Sequence, residues 1–390
     1  MVAVVWTGCL DYTDCKVSDW LYQKSGAKSS DIVVIGIDSA ALNKFGPIQL
    51  WLREGMIKTL DILNKNPDSR PAVIGIDFVF NGETAPEVDE KLAETAAQYG
   101  NVVVASAAII EDDLVDENDP YAPWSQTWNR DAPFPKLDNS VDSGHIYEPV
   151  DEDGVLRHQL LYINVTERGQ LYSFARVIYE KFCQAKDVAP NPPPETFGNG
   201  LYWLPFTDKS YTAEFNLVDL LEGKIAADFY RDKIILIGPH APGMGDEFTT
   251  ALNRSLSIYG VDIHANSIQA FQKNFFPREA GHAAQLIILF VVSFIAELIF
   301  RNGKMNHSTA AWLIICSSWI VLCQIFYRQE IILHVIWIPL AVSFLFIVTV
   351  SINYVHARAA KDEVTATFGR YVDPTIMKQL LEGGKEARDV

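Results

Sequence analysis

The sequence predicts an α/β domain with a largely parallel sheet, followed by an α-helical transmembrane bundle. Short continuous apolar segments alternate with amphipathic segments over the first 280 residues, which is typical of strands and crossover helices in a parallel sheet. Three longer apolar segments follow in the last third of the chain. Each is long enough to cross a hydrocarbon core of ~30 Å as a helix.

The strands of the predicted sheet are expected to be buried on both faces. Their apolar residues run on without polar alternation, as in strands that helices cover on each side. Strands are predicted at 32–37, 72–80, 101–109 and 233–241, and helices at 55–64, 88–99, 172–184, 216–222 and 264–272. Between about 110 and 230 the pattern is less regular, although Asp153 and Gly154 predict a turn that leads into a strand.

The three apolar segments are 283–300, 309–327 and 331–355. The loop after the first carries Arg301 and Lys304, whereas the loop after the second has one charge of each sign. Lys and Arg near the ends of spans favour the cytoplasm, so the first loop and the carboxyl-terminal tail are expected there. Residues before about 280 are then extracytoplasmic, in a multi-pass protein of the plasma (inner) membrane that contacts the lipid bilayer.

The amino-terminal segment MVAVVWTGCL is apolar but short, and it lacks the positive start of a signal peptide. We interpret residues 1–12 as the remnant of a first membrane helix. The expected organisation is then an extracytoplasmic domain at 13–278, three transmembrane helices within 283–355, and a cytoplasmic linker at 356–390.

The first 280 residues are strongly acidic, with 41 Asp and Glu against 23 Lys and Arg. Nucleic acids are bound by clusters of Lys and Arg, so no nucleic-acid partner is expected. Cations, basic ligands or solubility are the remaining explanations of the charge. The five cysteines lack the spacing of a metal site, and no metal or cofactor is expected in this chain.

Two predicted strands end in the same motif, Gly-Ile-Asp, at Asp38 and at Asp77. The carboxyl ends of parallel strands border the usual ligand crevice, where two carboxylates could hold a cation or an amine. The alternative is that each carboxylate caps the turn or helix that follows it.

Two further residues are candidates for this crevice. The glycine-rich segment at 238–250 contains Asp246 but neither GxxxxGK[ST] nor a dinucleotide fingerprint, so nucleotide binding is not predicted. His264 either faces the crevice or lies satisfied in the core. A hydrolase built on Asp38, Asp77 and His264 is not favoured, because no nucleophile motif such as GxSxG is found.

Five segments, in this order, resemble the second class of CHASE domains, the extracytoplasmic sensors attached to bacterial cyclases and kinases. They are DIVVIGIDSAALNKFG, VIGIDFVF, DEDGVLRHQLLYI, DKIILIGPHAPGMGDEFTT and YGVDIHANSIQAF, within roughly 13–275. The resemblance implies an unknown extracytoplasmic ligand, one leading membrane helix and three following ones. The family's Trp-Pro-rich segment is replaced by GPIQLWLREG; Arg53 is retained in it and joins the candidate ligand-binding residues.

The tail ATFGRYVDPTIMKQLLEGGKEARDV is similar to the segment before the catalytic domain of class III adenylate and guanylate cyclases. The resemblance implies a homodimer, with Mg or Mn expected only in a catalytic domain missing from this sequence. No catalytic residue is therefore expected in the chain. The coupling residues implied are Phe368, Gly369, Arg370, Tyr371, Asp373 and Pro374, of which Asp373 suits an N-cap and Pro374 the first helical position. The alternatives are another output, such as a kinase, or a membrane-anchored binding or scaffold protein.

Glu297 lies inside the first apolar segment, about one turn from its cytoplasmic end. A carboxyl at that depth is costly and often functional. We interpret it as paired with Arg301 at i+4; if it faces another helix instead, it is expected to couple the spans.

Overall fold

The computed structural model describes residues 10–24, 26–109, 127–165, 169–196, 200–206, 211–303 and 305–368. These residues fall into two compact units. One is an α/β unit made of 18–278 with 329–331, and the other is a helical unit made of the remaining described residues. The predicted largely parallel α/β domain followed by long apolar helices is confirmed.

The described helices and strands have the following bounds. The helices are α1 (Asp11–Tyr22), α2 (Ser39–Phe45), α3 (Leu52–Asn64), α4 (Pro86–Tyr99), α5 (Pro135–Asp138), α6 (Phe174–Ala185), α7 (Leu217–Leu221), α8 (Ala227–Tyr230), α9 (Gly260–Lys273), α10 (His282–Asn302), α11 (Met305–Tyr327) and α12 (Trp337–Phe368). The strands are β1 (Ile32–Ile37), β2 (Val73–Ile76), β3 (Val102–Ile109), β4 (Thr127–Asp131), β5 (Asp142–His145), β6 (His158–Leu160), β7 (Tyr162–Val165), β8 (Gly169–Tyr172), β9 (Leu201–Trp203), β10 (Thr212–Asn216), β11 (Ile234–Pro239), β12 (Glu247–Thr250), β13 (Asn253–Tyr259), β14 (Arg278–Glu279) and β15 (Ile331–Ile332).

Within the described residues, nine strands form one mixed sheet in the order β10-β1-β11-β2-β3-β4-β7-β8, and β5 also pairs with β3. The strands from β10 to β3, together with β5, are parallel, whereas β4 runs antiparallel to β3 and β8 runs antiparallel to β7. Of these parallel strands, β1, β2, β3 and β11 match the four predicted strands, whereas β5 and β10 were not predicted. Most of the others lie in the less regular middle of the domain, where the sequence pattern did not predict them.

The central strands are buried on both faces, as their continuous apolar runs predict. Val33, Ile35 and Ile37 of β1 join the core formed with α2, α3 and α4. Ile32 and Val34 of the same strand join the core formed with α6 and α9. The sheet is therefore covered by helices on each side, and only its edges and strand ends remain for a polar site.

Three neighbouring strands set the geometry of that site. β11 lies between β1 and β2, and all three are parallel, so their carboxyl ends meet at one edge. Neighbouring strands lie about 4.8 Å apart, which places the ends of β1 and β2 roughly 10 Å from each other. Strand β2 ends at Ile76, earlier than the predicted residue 80.

The helical unit contains, among its described residues, three helices long and apolar enough to span a membrane, within α10, α11 and α12. The first two agree with the predicted segments to within a few residues. The third helix begins at Trp337 and not at the predicted residue 331. Pro339 lies in its first turn, the part of a helix that tolerates a residue without an N–H.

Candidate functional site

Asp77 follows β2 directly at the carboxyl edge of the sheet. Its backbone N–H donates to the carbonyl of Ile237 on β11 (2.8 Å), which extends the ladder by one residue and holds Asp77 beside that strand. The residue is only 5% exposed. Burial, and then the charge of Asp246, raise the pKa of its carboxyl well above the usual range. Asp77 is thus a buried carboxyl that is readily protonated.

His264 of α9 lies between Asp77 and a carboxyl that the sequence did not single out, Glu148. The Nε2 atom of His264 is 3.7 Å from Oδ1 of Asp77, and its Nδ1 atom is 3.4 Å from Oε1 of Glu148. The rings of Phe174 and His264 pack in a T-shaped arrangement, with their centroids 5.2 Å apart. We refer to Asp77, His264 and Glu148 as the carboxyl–imidazole triad.

The triad is buried and is built from three different elements. Glu148 follows β5, and its Oε2 atom accepts a hydrogen bond from the side-chain amide of Gln159. Burial raises the pKa of Glu148 well above its usual range, and the charges of Asp246 and Asp77 add to this effect. Burial also lowers the pKa of His264 to about 3. Both shifts favour uncharged groups inside the site.

Further titratable groups surround the triad. Asp246 accepts a hydrogen bond from the N–H of Gly260, the first residue of α9 (3.1 Å). Burial first, and then the charge of Asp262, raise the pKa of Asp246 to about 7. Asp262 itself accepts the N–H of Tyr211 (2.7 Å) and lies 3.5 Å from Nε2 of His240. The edge of the sheet therefore carries a cluster of carboxyls and imidazoles.

The protein supplies this cluster with little positive charge. In the described part of the chain no Lys or Arg lies within ion-pair distance of Asp77, Glu148 or Asp246. The described residues also contain no group of three or more His, Cys, Asp or Glu side chains arranged to hold a metal ion. Without a cationic partner, the buried carboxyls of the site avoid an unpaired charge by holding protons.

Asp38 has partners of its own at the end of β1. Its Oδ1 atom accepts the N–H of Ala41 (3.0 Å), which makes Asp38 the N-cap of α2, and its Oδ2 atom accepts from the Asn216 side chain (2.9 Å). The capping alternative is confirmed for Asp38. Both of its oxygens are engaged by protein donors, and a ligand-binding role for Asp38 stays a prediction.

Arg53 of α3 is engaged with the segment that follows β2. It forms an ion pair with Asp89, donates to the carbonyls of Asn81 (3.1 Å) and Gly82 (2.7 Å), and lies over the ring of Phe134. These contacts tie α3, α4 and the segment after β2 together. A direct role of Arg53 in ligand binding stays a prediction.

A second buried polar cluster in the α/β unit centres on Arg157, which is 2% exposed. Its guanidinium pairs with Asp19 of α1 (2.8 Å), Asp151 (2.6 Å) and Asp153 (2.8 Å), and Arg254 contacts two of the same carboxylates. All these charges are paired, unlike those around the triad. The predicted turn is present, with Gly154 at a φ of 76°.

In the helical unit, Glu297 of α10 accepts a hydrogen bond from the hydroxyl of Thr349 on α12 (2.9 Å). Among the described residues no ion pair joins Glu297 to Arg301, so that interpretation was wrong: the carboxyl finds a hydroxyl donor on a neighbouring helix. A coupling role for Glu297 stays a prediction. The predicted residue Phe368 is the last residue of α12, whereas Gly369, Arg370, Tyr371, Asp373 and Pro374 lie outside the described residues.

The helical unit has a further polar contact at the start of α12. Asp14 of α1 accepts the N–H of Ile336 (2.8 Å) and lies 2.6 Å from Nδ1 of His334. A carboxylate is favourable at a helix N-terminus, where backbone N–H groups lack intrahelical partners. The contact therefore stabilises the beginning of the longest helix of the unit.

Of the predicted ligand-binding residues, the structure brings together Asp77, Asp246 and His264. Glu148 and Asp262 complete the cluster, and sequence reasoning missed both as candidates. Asp262 lies two positions before His264 in GVDIHAN, so the segment itself was recognised. Glu148 offered no such signal, because it follows the short, unpredicted strand β5.

The fold and the site together define a class: a multi-pass membrane protein whose α/β domain carries a buried polar site at the carboxyl edge of its sheet. The model of one family, the CHASE2 domain, matches residues 1–298, about three quarters of the chain. The chain belongs to the CHASE2 family, which implies sensing and signalling. No curated protein and no solved structure matches it.

Proposed function

We propose that the chain is the sensory and transmembrane input region of a receptor adenylate cyclase and regulates cyclic nucleotide synthesis through a homodimer. The observation that carries the proposal is the continuity of α12 with the cyclase-like segment. The last described residue of the helix is Phe368, which is also the first residue of FGRYVDPTIMKQLLEGG.

The length of α12 supports a role in transmission. Its 32 residues span about 48 Å, whereas a hydrocarbon core is ~30 Å thick. The last turns of the helix therefore extend beyond the apolar core, and they carry exposed charged residues: Arg358, Lys361, Asp362 and Glu363. A helix without a break can pass a rotation or a shift from one side of the membrane to the other.

Orientation and assembly follow from the same proposal. Lys and Arg after the first and third spans favour a cytoplasmic carboxyl-terminal tail, which leaves the CHASE2 domain on the extracytoplasmic side.

Class III catalytic sites are built across two protomers, so the input region works as a dimer. The stimulus shifts the population of two arrangements of the spans, by no more than its differential affinity for them.

The test is a fusion of the 390-residue chain, at Val390, to a class III catalytic domain of known activity. Cyclic nucleotide production is measured in membranes that contain this fusion, the fusion with Asp77→Asn, and the fusion with Glu54→Gln. Glu54 is an exposed residue of α3 and serves as the matched control.

We expect an active fusion whose output changes with Asp77→Asn and not with Glu54→Gln. An active fusion that responds to no substitution in the α/β domain would contradict the sensory role and would favour a membrane-anchored scaffold. A fusion that stays inactive with every catalytic domain joined to it would contradict the cyclase output.

A further inference from the structure

His264 faces two carboxyl oxygens, and a neutral imidazole with two ionised carboxylates has one proton too few for these contacts. A neutral imidazole has one N–H and one lone pair, yet both ring nitrogens face carboxyl oxygens, at 3.7 Å and 3.4 Å. If Asp77 and Glu148 were both ionised, the lone pair would face an anionic oxygen. In a buried site such repulsion is poorly screened. One additional proton, on the ring or on a carboxyl, removes it.

A second observation points in the same direction. The Oε1 atom of Glu148 is buried, faces His264, and has no hydrogen-bond partner within the described structure. The side chain of Glu148 is 3% exposed. Buried polar atoms are almost always hydrogen-bonded, and an exception calls for a missing partner. A proton held between Glu148 and His264 satisfies this oxygen.

A metal ion fits the arrangement less well than a proton. Asp77 and Glu148 contact opposite nitrogens of one imidazole, and these nitrogens point away from each other. A metal ion at either nitrogen would therefore gain only one carboxyl and one imidazole from the triad, whereas stable protein sites for zinc use three or four protein ligands.

We infer that the carboxyl–imidazole triad is a proton-binding site, and that the stimulus read by this CHASE2 domain is the pH of the medium it faces. The assignment of pH as the stimulus rests on the proposed sensory function, whereas the proton-binding site does not. Asp77 follows β2, Glu148 follows β5, and His264 belongs to α9. When the proton is lost, Asp77 and Glu148 both carry a negative charge. Their repulsion then separates the elements that carry the triad.

The neighbouring carboxyls favour the protonated triad, and imidazoles, a phenol and one guanidinium also lie around it. Asp246 approaches from the glycine-rich segment, Asp262 from α9 and His240 from the end of β11. His145 of β5 interacts electrostatically with His264, and its pKa is lowered to about 3, first by burial. Tyr202 of β9 lies near Glu148, and Arg176 of α6 acts on Tyr202. Carboxyls are the most numerous of these groups, and ionisation of a neighbouring carboxyl opposes ionisation of Asp77 and Glu148.

The inference is tested by infrared spectroscopy of the full chain in lipid nanodiscs, titrated from about pH 5 to about pH 9, a range that extends well above the ordinary carboxyl pKa. A protonated carboxyl has a C=O stretch separate from the carboxylate bands. The variants are Asp77→Asn and Glu148→Gln, which keep the side-chain shapes, with Glu54→Gln as the control. The titration needs no output domain, so its failure is distinct from failure of the fusion experiment.

We expect the wild-type chain to show an acid band at neutral pH that disappears as the pH rises. Each triad variant loses part of this band, and Glu54→Gln retains it. Absence of the band from the wild type, or an unchanged band in both triad variants, would overturn the proton-binding site. So would loss of the band on addition of Mg²⁺ or Ca²⁺ at constant pH, which would assign the site to a metal ion.

Asp246→Asn keeps the test decisive should either triad variant fail to fold. Asp246, with a pKa of about 7, contributes to the acid band, and its charge raises the pKa of both Asp77 and Glu148. Asp246→Asn therefore removes part of the band and shifts the disappearance of the remainder to lower pH. An unchanged midpoint in Asp246→Asn would place the titrating carboxyls elsewhere and reject the inference.

Discussion

Asp38 and Asp77 end the same motif on two parallel strands, yet their carboxylates have different neighbours. Asp38 accepts hydrogen bonds from Ala41 and Asn216 and caps a helix. The chain does not enter a helix directly after Asp77, and this carboxyl meets an imidazole in a buried site. The identity of a residue predicts what it can bind, whereas its surroundings decide whether that capacity is already used by the fold.

Asp246 allows a prediction about pH and stability. Its folded-state pKa, about 7, is raised, so it stabilises the protein below its unfolded-state pKa, and this stabilisation is lost as the pH rises through about 7. The pKa values of the buried His145 and His264 are lowered. Above their unfolded-state pKa of ~6.5, these histidines no longer change the free energy of unfolding with pH. We expect the free energy of unfolding of Asp246→Asn to rise relative to that of the wild type, by on the order of 2 kcal/mol between about pH 4 and about pH 7, after allowance for the partial exposure of Asp246. The other titrating groups of the site are common to both proteins.

The measurement is the thermal unfolding midpoint of the full chain between about pH 4 and about pH 8, a range that covers the interval between the unfolded-state and folded-state pKa values of Asp246. The control is Glu247→Gln, at the exposed neighbouring position, which should follow the wild-type profile. If the difference in unfolding midpoint between Asp246→Asn and the wild type stays constant between about pH 4 and about pH 7, the titration belongs to another group.

At the scale of elements, β5 and α6 approach each other closely at Gly144. A Cβ atom at this position would lie 2.6 Å from the backbone N and Cα of Phe174. Backbone atoms cannot rotate away, so Gly144→Ala must separate the strand from the helix. We expect a destabilisation of about 1–3 kcal/mol, as is typical of overpacked cores.

Gly281→Ala is the matched control for this prediction. A Cβ atom there meets nothing within 4 Å, and the φ of −53° suits any residue. Chemical unfolding of the two variants beside the wild type makes the comparison. Equal stability of Gly144→Ala and Gly281→Ala would show that β5 and α6 are free to move apart. Because Glu148 follows β5, such freedom would also loosen the triad.

The elements that sequence reasoning predicted well are those with long periodic patterns. The buried strands β1 and β11 and the helices α3 and α4 are within a few residues of their predicted bounds. Strands β4 to β8 contain three to five residues each, which is too short to establish a period. Their existence depends on the pairing offered by neighbouring strands, and pairing partners lie far apart in the sequence.

For the whole molecule, the distribution of Lys and Arg predicts the topology. A reporter enzyme that is active only outside the cytoplasm is fused, in four separate proteins, after residues 280, 303, 330 and 390. We expect activity at 280 and 330 and none at 303 and 390, since positive residues stay in the cytoplasm. The reverse pattern would place the CHASE2 domain inside the cell and remove it from contact with an extracytoplasmic stimulus.

The sequence by itself determined the class of fold, the three long apolar helices and the family, because each is encoded in local composition, period or motif order. It also identified Asp77, Asp246 and His264 as residues able to form a polar site. Only the tertiary structure decided that these three meet, that Glu148 completes the triad, and that Asp38 is occupied as a helix cap. The physical reason is that burial and proximity arise from strand order and helix packing, which bring together residues 77, 148 and 264.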